Sequence, residues 1–411
     1  MPQSPQYAGR TTTSSGPGSS RGRSTTSIVP GRSTTSARLL TARNYVSVPW
    51  ETESKLALVR EWLERRKRPG VALTTNGPVA WLTAGLTNTI DRSDALSPLW
   101  LIVTQGQAVG VTTTVERPRL EAEGGLAELD IPLVEVPWHD GGAFARAAVE
   151  IAGAPWNELA PDEDDLMAMR LRLLPPEQER LAELGRDAAI ALESAVSAWE
   201  PGERDLDVQA RVADGLECVG AVPVCMIVGG DDRVERFRHP LATARPMHRL
   251  VMAVVVAMRG GLHVAATRFV CAGRLPGSAQ HAFDAALDVE AAMLAAHAPG
   301  SSYGDVLQAC ERAYAETGHP EAWQEHYQGG PIGYRQREFE IAPSQRRSRW
   351  FAQAIEAGHA VAWNPSIAGG GKSEDTFLVE EDGLRCITDT GAWPNVSAGG
   401  RLRTGILEIA R

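Results

Sequence analysis

The sequence has no long apolar run, and this absence excludes a membrane-spanning helix. A spanning helix needs about 18 or more consecutive apolar residues, whereas the apolar segment 250–258 ends at Arg259. The start of the chain also lacks the apolar region of a secretory signal. We therefore expect a soluble protein with no membrane partner and place it in the cytoplasm.

Cysteine is scarce and follows no paired pattern. The chain has five cysteines and no C-x-x-C motif, and an odd number in a long chain argues against a disulfide framework. A reducing compartment such as the cytosol fits this usage. Apolar neighbours, as at Cys225 between Val224 and Met226, favour buried structural cysteines over catalytic nucleophiles.

Acidic residues are absent from the first 50 positions, which contain six arginines and no lysine. The rest of the chain has 35 basic and 51 acidic residues, so its net charge is about −16. A region this acidic repels the phosphate backbone of a nucleic acid. The basic residues of the leader are dispersed among Ser and Thr and so do not form a basic cluster. We therefore expect no nucleic-acid partner.

The order of patterns along the chain predicts a leader, two domains and a linker. Residues 1–44 are rich in Ser, Thr, Gly and Arg and are predicted to be a disordered leader. An α/β domain is predicted for 45–154, a linker for 155–175 and a larger domain for 176–411. Hydrophobic periodicity and turn residues predict the elements of the first domain: helices at 51–66 and 142–151, and strands at 71–74, 79–82, 99–104, 108–113 and 133–136.

The second domain begins with helical periodicity and continues with strands. Gly260-Gly261 separates two apolar runs and predicts a hairpin. The predicted elements are helices at 176–199, 205–219, 278–297 and 303–317, and strands at 223–228, 250–258 and 262–271, with further strands to residue 387.

Two Gly-rich segments carry most of the chemically useful side chains. They are residues 326–334 (HYQGGPIGY) and 363–376 (WNPSIAGGGKSEDT). Glycine lets the backbone approach a ligand closely, and ionisable or amide side chains flank both segments. This combination predicts an enzyme-like pocket.

The order of these motifs resembles the pita-bread superfamily of creatinase, prolidase, aminopeptidase P and methionine aminopeptidase. The resemblance extends over residues 45–395 and rests on His239-Pro240, the hairpin ending in Thr267-Arg268, the GGPIG turn and Glu374-Asp-Thr. It implies an α/β N-terminal domain followed by an α+β pita-bread domain. It also implies a homodimer.

Peptidases of this superfamily hold two metal ions on two Asp, one His and two Glu, because two adjacent cations need bridging carboxylates. The resemblance places these ligands on Val254, Ala265, Gly330, Asn364 and Glu374. One carboxylate in five cannot hold a dinuclear centre. We therefore predict no metal ligands, no cofactor and a branch of the superfamily that works without the metal pair.

Creatinase, which has this fold without catalytic metal, implies a different chemistry. Its catalytic His falls on His239, and its two substrate-clamping glutamates fall on Thr267 and Asn364, so creatine itself is not expected as substrate. The predicted function is hydrolysis of an amide or amidine-like C–N bond in a small molecule. His239 is predicted to be the acid/base, with Glu374 and Asn364 as further catalytic residues.

Cationic side chains replace the missing carboxylates and predict a substrate with an anionic group. A second superfamily His falls on Arg337, and Lys372 precedes Glu374 by two residues. If residues 334–337 form a strand, alternation puts Arg335 and Arg337 on one face and Tyr334 on the other. The predicted substrate-binding residues are Arg337, Arg335, Tyr334, His326, Thr267 and Lys372.

Several alternatives stay open at the level of sequence. Glu374 could instead form a buried salt bridge with Lys372 or Arg337, and Asn364 could donate its amide to substrate or satisfy the turn at Pro365. The chain could also be a non-catalytic module that binds a peptide or metabolite. A third hypothesis is an Xaa-Pro aminopeptidase with a metal pair, which the loss of ligands argues against.

Overall fold

The computed structural model describes residues 49–87, 89–298, 300–344 and 348–410. The predicted leader at 1–44 lies outside the described residues. Within them the α-helices are α1 (Pro49–Arg66), α2 (Asn76–Leu82), α3 (Arg117–Glu123), α4 (Ala143–Ala152), α5 (Glu163–Leu171), α6 (Pro175–Ser197), α7 (Asp205–Cys218), α8 (Asp232–Arg236), α9 (Gly277–Ala295) and α10 (Tyr303–Glu316).

The strands of the same described residues form several sheets. They are β1 (Gly70–Thr75), β2 (Leu96–Thr104), β3 (Ala108–Thr113), β4 (Leu133–Val136), β5 (Val222–Gly230), β6 (Leu250–Arg259), β7 (Leu262–Ala272), β8 (Gly329–Pro331), β9 (Ala360–Trp363), β10 (Ser366–Ile367), β11 (Gly371–Lys372), β12 (Asp375–Glu380), β13 (Gly383–Cys386), β14 (Asn395–Ala398), β15 (Arg401–Thr404) and β16 (Ile406–Ile409).

The first four strands form one sheet in the order β1-β2-β3-β4. The first three pair antiparallel, and β4 lies parallel to β3. Helix α1 buries Val59, Trp62 and Leu63, which follow helical spacing on one face. The prediction of a strand at 79–82 is wrong, because these residues end helix α2, and a short apolar run does not distinguish a buried helix from a strand.

Two further four-stranded sheets build the C-terminal part, in the orders β16-β7-β6-β5 and β13-β12-β9-β8. Strands β6 and β7 form the predicted hairpin, with positive φ at Gly260 and Gly261. The two sheets meet where the Thr267 backbone N–H donates to the Glu374 carbonyl at 2.9 Å. This contact places the β7 strand beside the second Gly-rich segment.

Two regions differ from the sequence prediction. Helix α5 (Glu163–Leu171) lies inside the predicted linker, where Asp162 caps it by accepting from the Asp165 N–H. Strands β14 to β16 follow residue 387, and β16 joins the main sheet parallel to β7. In the described part of the chain, no helix combines the length and apolarity that crossing a membrane would take.

Candidate functional site

Four segments of the C-terminal part bring their polar side chains to one place. His239 lies in the loop after α8, and His326 lies just before β8. Lys372 ends the two-residue strand β11, and Asn364 directly follows β9. The antiparallel pairing of Ser366 with Lys372 folds the second Gly-rich segment back on itself, so Lys372 returns to Asn364.

The two histidines form a hydrogen-bonded pair. Their Nε2 atoms lie 3.1 Å apart, and the Nδ1 of His326 lies 2.6 Å from the Tyr327 carbonyl oxygen. A carbonyl only accepts, so Nδ1 of His326 carries a proton and its Nε2 is the acceptor in the neutral ring. The Nε2–H of His239 therefore donates to His326, which leaves the Nδ1 of His239 as a free base.

Both imidazoles are neutral at neutral pH. Burial, assisted by the Lys372 charge, lowers the pKa of His326 to about 2. Burial and Lys372 also lower the pKa of His239, while the Glu374 charge partly opposes them. A neutral imidazole is the form that accepts a proton as a general base.

Lys372 is a buried amine, with 2% of its surface exposed. Its Nζ donates to the Oδ1 of Asn364 and lies 3.5 Å from the Nε2 of His326. Burial lowers its pKa to about 8, against the opposing attraction of Glu374. Among the described residues, no carboxylate lies within ion-pair distance of Nζ, so its charge favours an incoming anion.

Arg337, Glu374 and Thr267 form a second group beside the first. The Nη2 of Arg337 donates to Glu374 Oε1 at 2.8 Å, and the Thr267 hydroxyl donates to Glu374 Oε2 at 3.1 Å. Of the two salt bridges considered for Glu374, the structure shows the one with Arg337. Asn364 accepts from Lys372, so its carbonyl end is occupied and its amide N–H₂ remains the group that can donate to substrate.

A small cleft that encloses about 10 Å³ borders this cluster. Lys372 and Arg238 supply its cationic wall, while Phe237 and Met252 supply apolar wall. Arg238 also donates from Nη2 to Glu325 Oε2 at 2.5 Å. The enclosed volume is about that of one water molecule and far below the usual 300–1,000 Å³ of ligand pockets.

Two predicted substrate-binding residues lie away from the cluster. Tyr334 is buried, donates its hydroxyl to Glu177 Oε1 at 2.6 Å and packs over Lys55. Arg335 is exposed and pairs with Glu163 at 2.7 Å. The predicted alternation is wrong, because residues 332–340 form bends and not a strand. Every second side chain therefore need not lie on the same face.

Two members of the site were missed by sequence reasoning. Arg238 lines the cleft, and its only signal was its place next to His239. Glu340 accepts from the Gly329 N–H at 2.5 Å, and burial raises its pKa to about 7 although Arg337 opposes the shift. Nothing in the local sequence distinguishes Glu340 from an ordinary surface glutamate.

Of the five positions that the resemblance matches to metal ligands, only Asn364 and Glu374 carry an oxygen-bearing side chain. Val254 and Ala265 are buried and have no donor atom. A Cβ at Gly330 would lie 2.2 Å from the Phe339 carbonyl oxygen, and Asn364 already accepts from Lys372. Within the ranges that the structure describes, no three His, Cys, Asp or Glu residues form a group that could hold a metal ion.

Comparisons with known proteins connect this fold to a peptidase family. Residues 179–381 match the model of metallopeptidase family M24. No curated protein matches the sequence.

Solved structures share the fold over most of the chain. The Xaa-Pro dipeptidase from Bacillus anthracis is 15% identical, with a TM-score of 0.66, and the match covers 87% of this chain and 100% of that one. Dipeptidase PepE from Mycobacterium ulcerans is 18% identical, with a TM-score of 0.66 and coverages of 88% and 99%. The prolidase from Pyrococcus furiosus is 18% identical, with a TM-score of 0.64 and coverages of 80% and 99%. These likenesses confirm the predicted fold class, an α/β domain followed by a pita-bread domain.

Proposed function

We propose that this chain is a hydrolase that cleaves an amide or amidine-like C–N bond in a small molecule bearing an anionic group, without a dinuclear metal centre. The observation that carries the proposal is the buried Lys372 amine, which contacts an amide oxygen and a neutral imidazole. An uncompensated buried cation favours an anionic ligand. Beside it, the neutral histidine pair supplies a base.

In this proposal each side chain of the site has a role. The Nδ1 of His239 takes a proton from water as the water oxygen attacks the carbon of the C–N bond, and then gives that proton to the leaving nitrogen. His326 accepts from His239 and fixes the orientation of its ring. Lys372 binds the anionic group, the Asn364 amide donates to substrate, and Glu374 holds Arg337 beside them.

A metal-dependent Xaa-Pro peptidase is the second candidate, and the family match and the prolidase-like neighbours favour it. The donor set argues against it, because Val254, Ala265 and Gly330 offer no ligand atom. The ammonium of Lys372 would also repel a cation placed beside Asn364.

One assay separates these candidates. Amine or ammonia release is measured on carboxylate-bearing amides, amidino acids and Xaa-Pro dipeptides, with and without chelator. We expect chelator-resistant turnover of a small amide or amidine, which His239→Ala removes without changing the melting temperature. Chelator-sensitive cleavage of Xaa-Pro dipeptides, with about two metal ions per chain, would establish the peptidase instead.

Binding without turnover would identify a metabolite-binding or peptide-binding module, the remaining alternative. Thermal shift with the same compounds detects such binding, because a ligand that binds the native state raises its melting temperature. The homodimer and the cytoplasmic location remain proposals that solution mass and cell fractionation test.

A further inference from the structure

A second concave surface lies on the N-terminal α/β domain. It is a groove of about 360 Å³ that is open to solvent and is lined by Ala145, Arg146, Val149 and Glu150 of α4 and by Trp156. None of these residues belongs to the histidine and lysine cluster described above. The volume lies within the usual 300–1,000 Å³ of ligand pockets, so the groove has room for a molecule with one aromatic ring.

The local sequence explains why an indole forms one wall of this groove. Helix α4 ends at Gly153, whose φ of 62° reverses the chain, and the chain then reaches Trp156 in a short turn. The Trp156 ring stacks on Trp100 of β2, with 5.5 Å between the ring centroids and 24° between the ring planes. Trp156 is still 38% exposed. Trp100 therefore holds the ring in place while part of its surface stays free for another stacking partner.

The charges at the rim of the groove favour a cation. Arg146 donates to Asp140, so an acidic partner already compensates its charge. Glu150 is exposed, and within the part of the chain that the structure describes it has no ion-pair partner. The face of an indole also attracts cations. The walls contributed by Ala145 and Val149 are apolar, so they suit the ring of such a ligand and leave its charge to the rim.

We propose that this groove is a binding site for a small aromatic amine, whose ring stacks on Trp156 and whose ammonium pairs with Glu150. The proposal combines a volume, an accessible aromatic ring and an uncompensated carboxylate in one place. Glu150 disfavours an aromatic acid, and an aliphatic amine lacks the ring that stacks on Trp156. This binding site goes beyond the proposed hydrolase activity and does not depend on it.

Titration of the full chain with a matched pair of ligands tests the proposal. 2-Phenylethylamine carries an ammonium at neutral pH, and 2-phenylethanol has the same ring and chain length without a charge. Saturation-transfer NMR at neutral pH and low salt measures the dissociation constant of each compound. We expect the amine to bind about two- to fivefold more tightly than the alcohol, because an exposed charge contact contributes a modest amount. Equal affinities, or no saturable binding at millimolar concentrations, would overturn the proposal.

Variants place the binding on the groove. Trp156→Leu should weaken binding of both compounds, since each loses its ring contact. Trp138→Leu removes another exposed tryptophan, which does not line the groove, and should leave both affinities unchanged. Ala145→Phe fills the groove from a half-buried position on α4 and should also weaken both, so the test does not depend on how well Trp156→Leu folds. Unchanged affinities in Ala145→Phe would place the binding elsewhere and overturn the proposal.

The role of the carboxylate is tested separately. We expect Glu150→Gln to weaken binding of 2-phenylethylamine about two- to fivefold and to leave binding of 2-phenylethanol unchanged. Glu123→Gln removes another exposed carboxylate of the same domain that does not line the groove and should change neither affinity. Equal losses in the two variants would show that the net charge of the protein attracts the amine, and would overturn the pairing with Glu150. A failure of hydrolysis assays would not affect these results, because the titrations require no turnover.

Discussion

The Nε2 atoms of His239 and His326 lie 3.1 Å apart although the residues are 87 positions apart in sequence. Only one of the two nitrogens can carry the shared proton, and the Tyr327 carbonyl decides which, because it takes the Nδ1 proton of His326. A proton added to the Nε2 of His326 would place two donors face to face, whereas the Nδ1 of His239 stays open to a proton. The geometry therefore favours a neutral His326, and its protonation state is the first property to measure.

The ring of His326 should stay neutral through the whole range in which histidine normally titrates. Its pKa is lowered to about 2 by burial and by the Lys372 charge, whereas an unperturbed His titrates near 6.5. In ¹H–¹⁵N spectra of the imidazoles, we expect no change of the His326 ring signals between pH 8 and pH 5. The variant His326→Gln assigns the signals, and a titration midpoint above pH 5.5 would contradict the prediction.

Lys55 should be far more important to stability than its solvent-exposed counterpart. It is 1% exposed and contacts Glu51 and Glu177, which are also buried. Lys55→Met leaves two buried carboxylates without this partner, which typically costs about 3–5 kcal/mol. Lys67→Met removes the same charge at the surface and should stay within about 0.5 kcal/mol of wild type. Urea unfolding measures both, and equal effects would mean that the buried pairs do not stabilise the fold.

The Gly330 position should reject any side chain. A Cβ there would lie 2.2 Å from the Phe339 carbonyl oxygen, and backbone cannot move away cheaply. Gly330→Ala is therefore expected to destabilise the protein by about 1–3 kcal/mol, the usual cost of overpacking. Gly277→Ala, where nothing lies within 4 Å of the added Cβ, should be neutral or slightly stabilising. If Gly330→Ala leaves the free energy of unfolding unchanged, a side chain has room at this position, which the resemblance matches to a histidine.

Much of the fold followed from local sequence. The Gly260-Gly261 turn between two apolar runs predicted the hairpin to within a residue or two, since both its backbone angles and the flanking apolar runs are local properties. The helix at 79–82 was missed because four apolar residues look the same in both structures. The strands after residue 387 were missed because β16 pairs with β7 over 130 positions away, and such pairing leaves little mark on the local sequence.

The structure brings four of the predicted residues, His239, His326, Asn364 and Lys372, into contact with one another. The resemblance points to His239, Asn364 and Glu374, and the Gly-rich segments point to His326 and Lys372. Neither signal could place Tyr334, which turns toward Glu177 since the segment bends after β8. The contact of Lys372 with Asn364 also could not be foreseen, because it depends on the two-residue hairpin of β10 and β11.

Glu374 should stabilise the folded state through its buried contacts. It is 3% exposed and accepts from Arg337 and from the Thr267 hydroxyl. Glu374→Gln keeps the shape but removes the charge, and we expect a loss of about 1–3 kcal/mol. Glu380→Gln breaks the exposed pair with Arg385 and should cost less than about 1 kcal/mol. Comparable losses in chemical denaturation would show that the Arg337 pair contributes no more than a surface pair.

Glu340 should make the protein less stable as the pH rises from 4.5 to 7. Burial raises its folded-state pKa from 4.5 to about 7, while Arg337 and the Gly329 N–H only partly oppose the shift. Below pH 4.5 the carboxyl is protonated in both the folded and the unfolded protein. Its ionisation then does not affect the free energy of unfolding. Between pH 4.5 and 7 the unfolded chain ionises first, so the free energy of unfolding falls, by at most about 3 kcal/mol, and then levels off.

Glu340→Gln tests this directly, because glutamine keeps an oxygen for the Gly329 N–H but cannot ionise. The variant should match wild type at pH 4.5 and exceed its stability at pH 8. The quantity to measure is the difference in unfolding free energy between the two proteins at several pH values. A difference that stays constant across this range would mean that Glu340 ionises normally in the folded protein, and that Arg337 then compensates fully for the burial of the carboxylate.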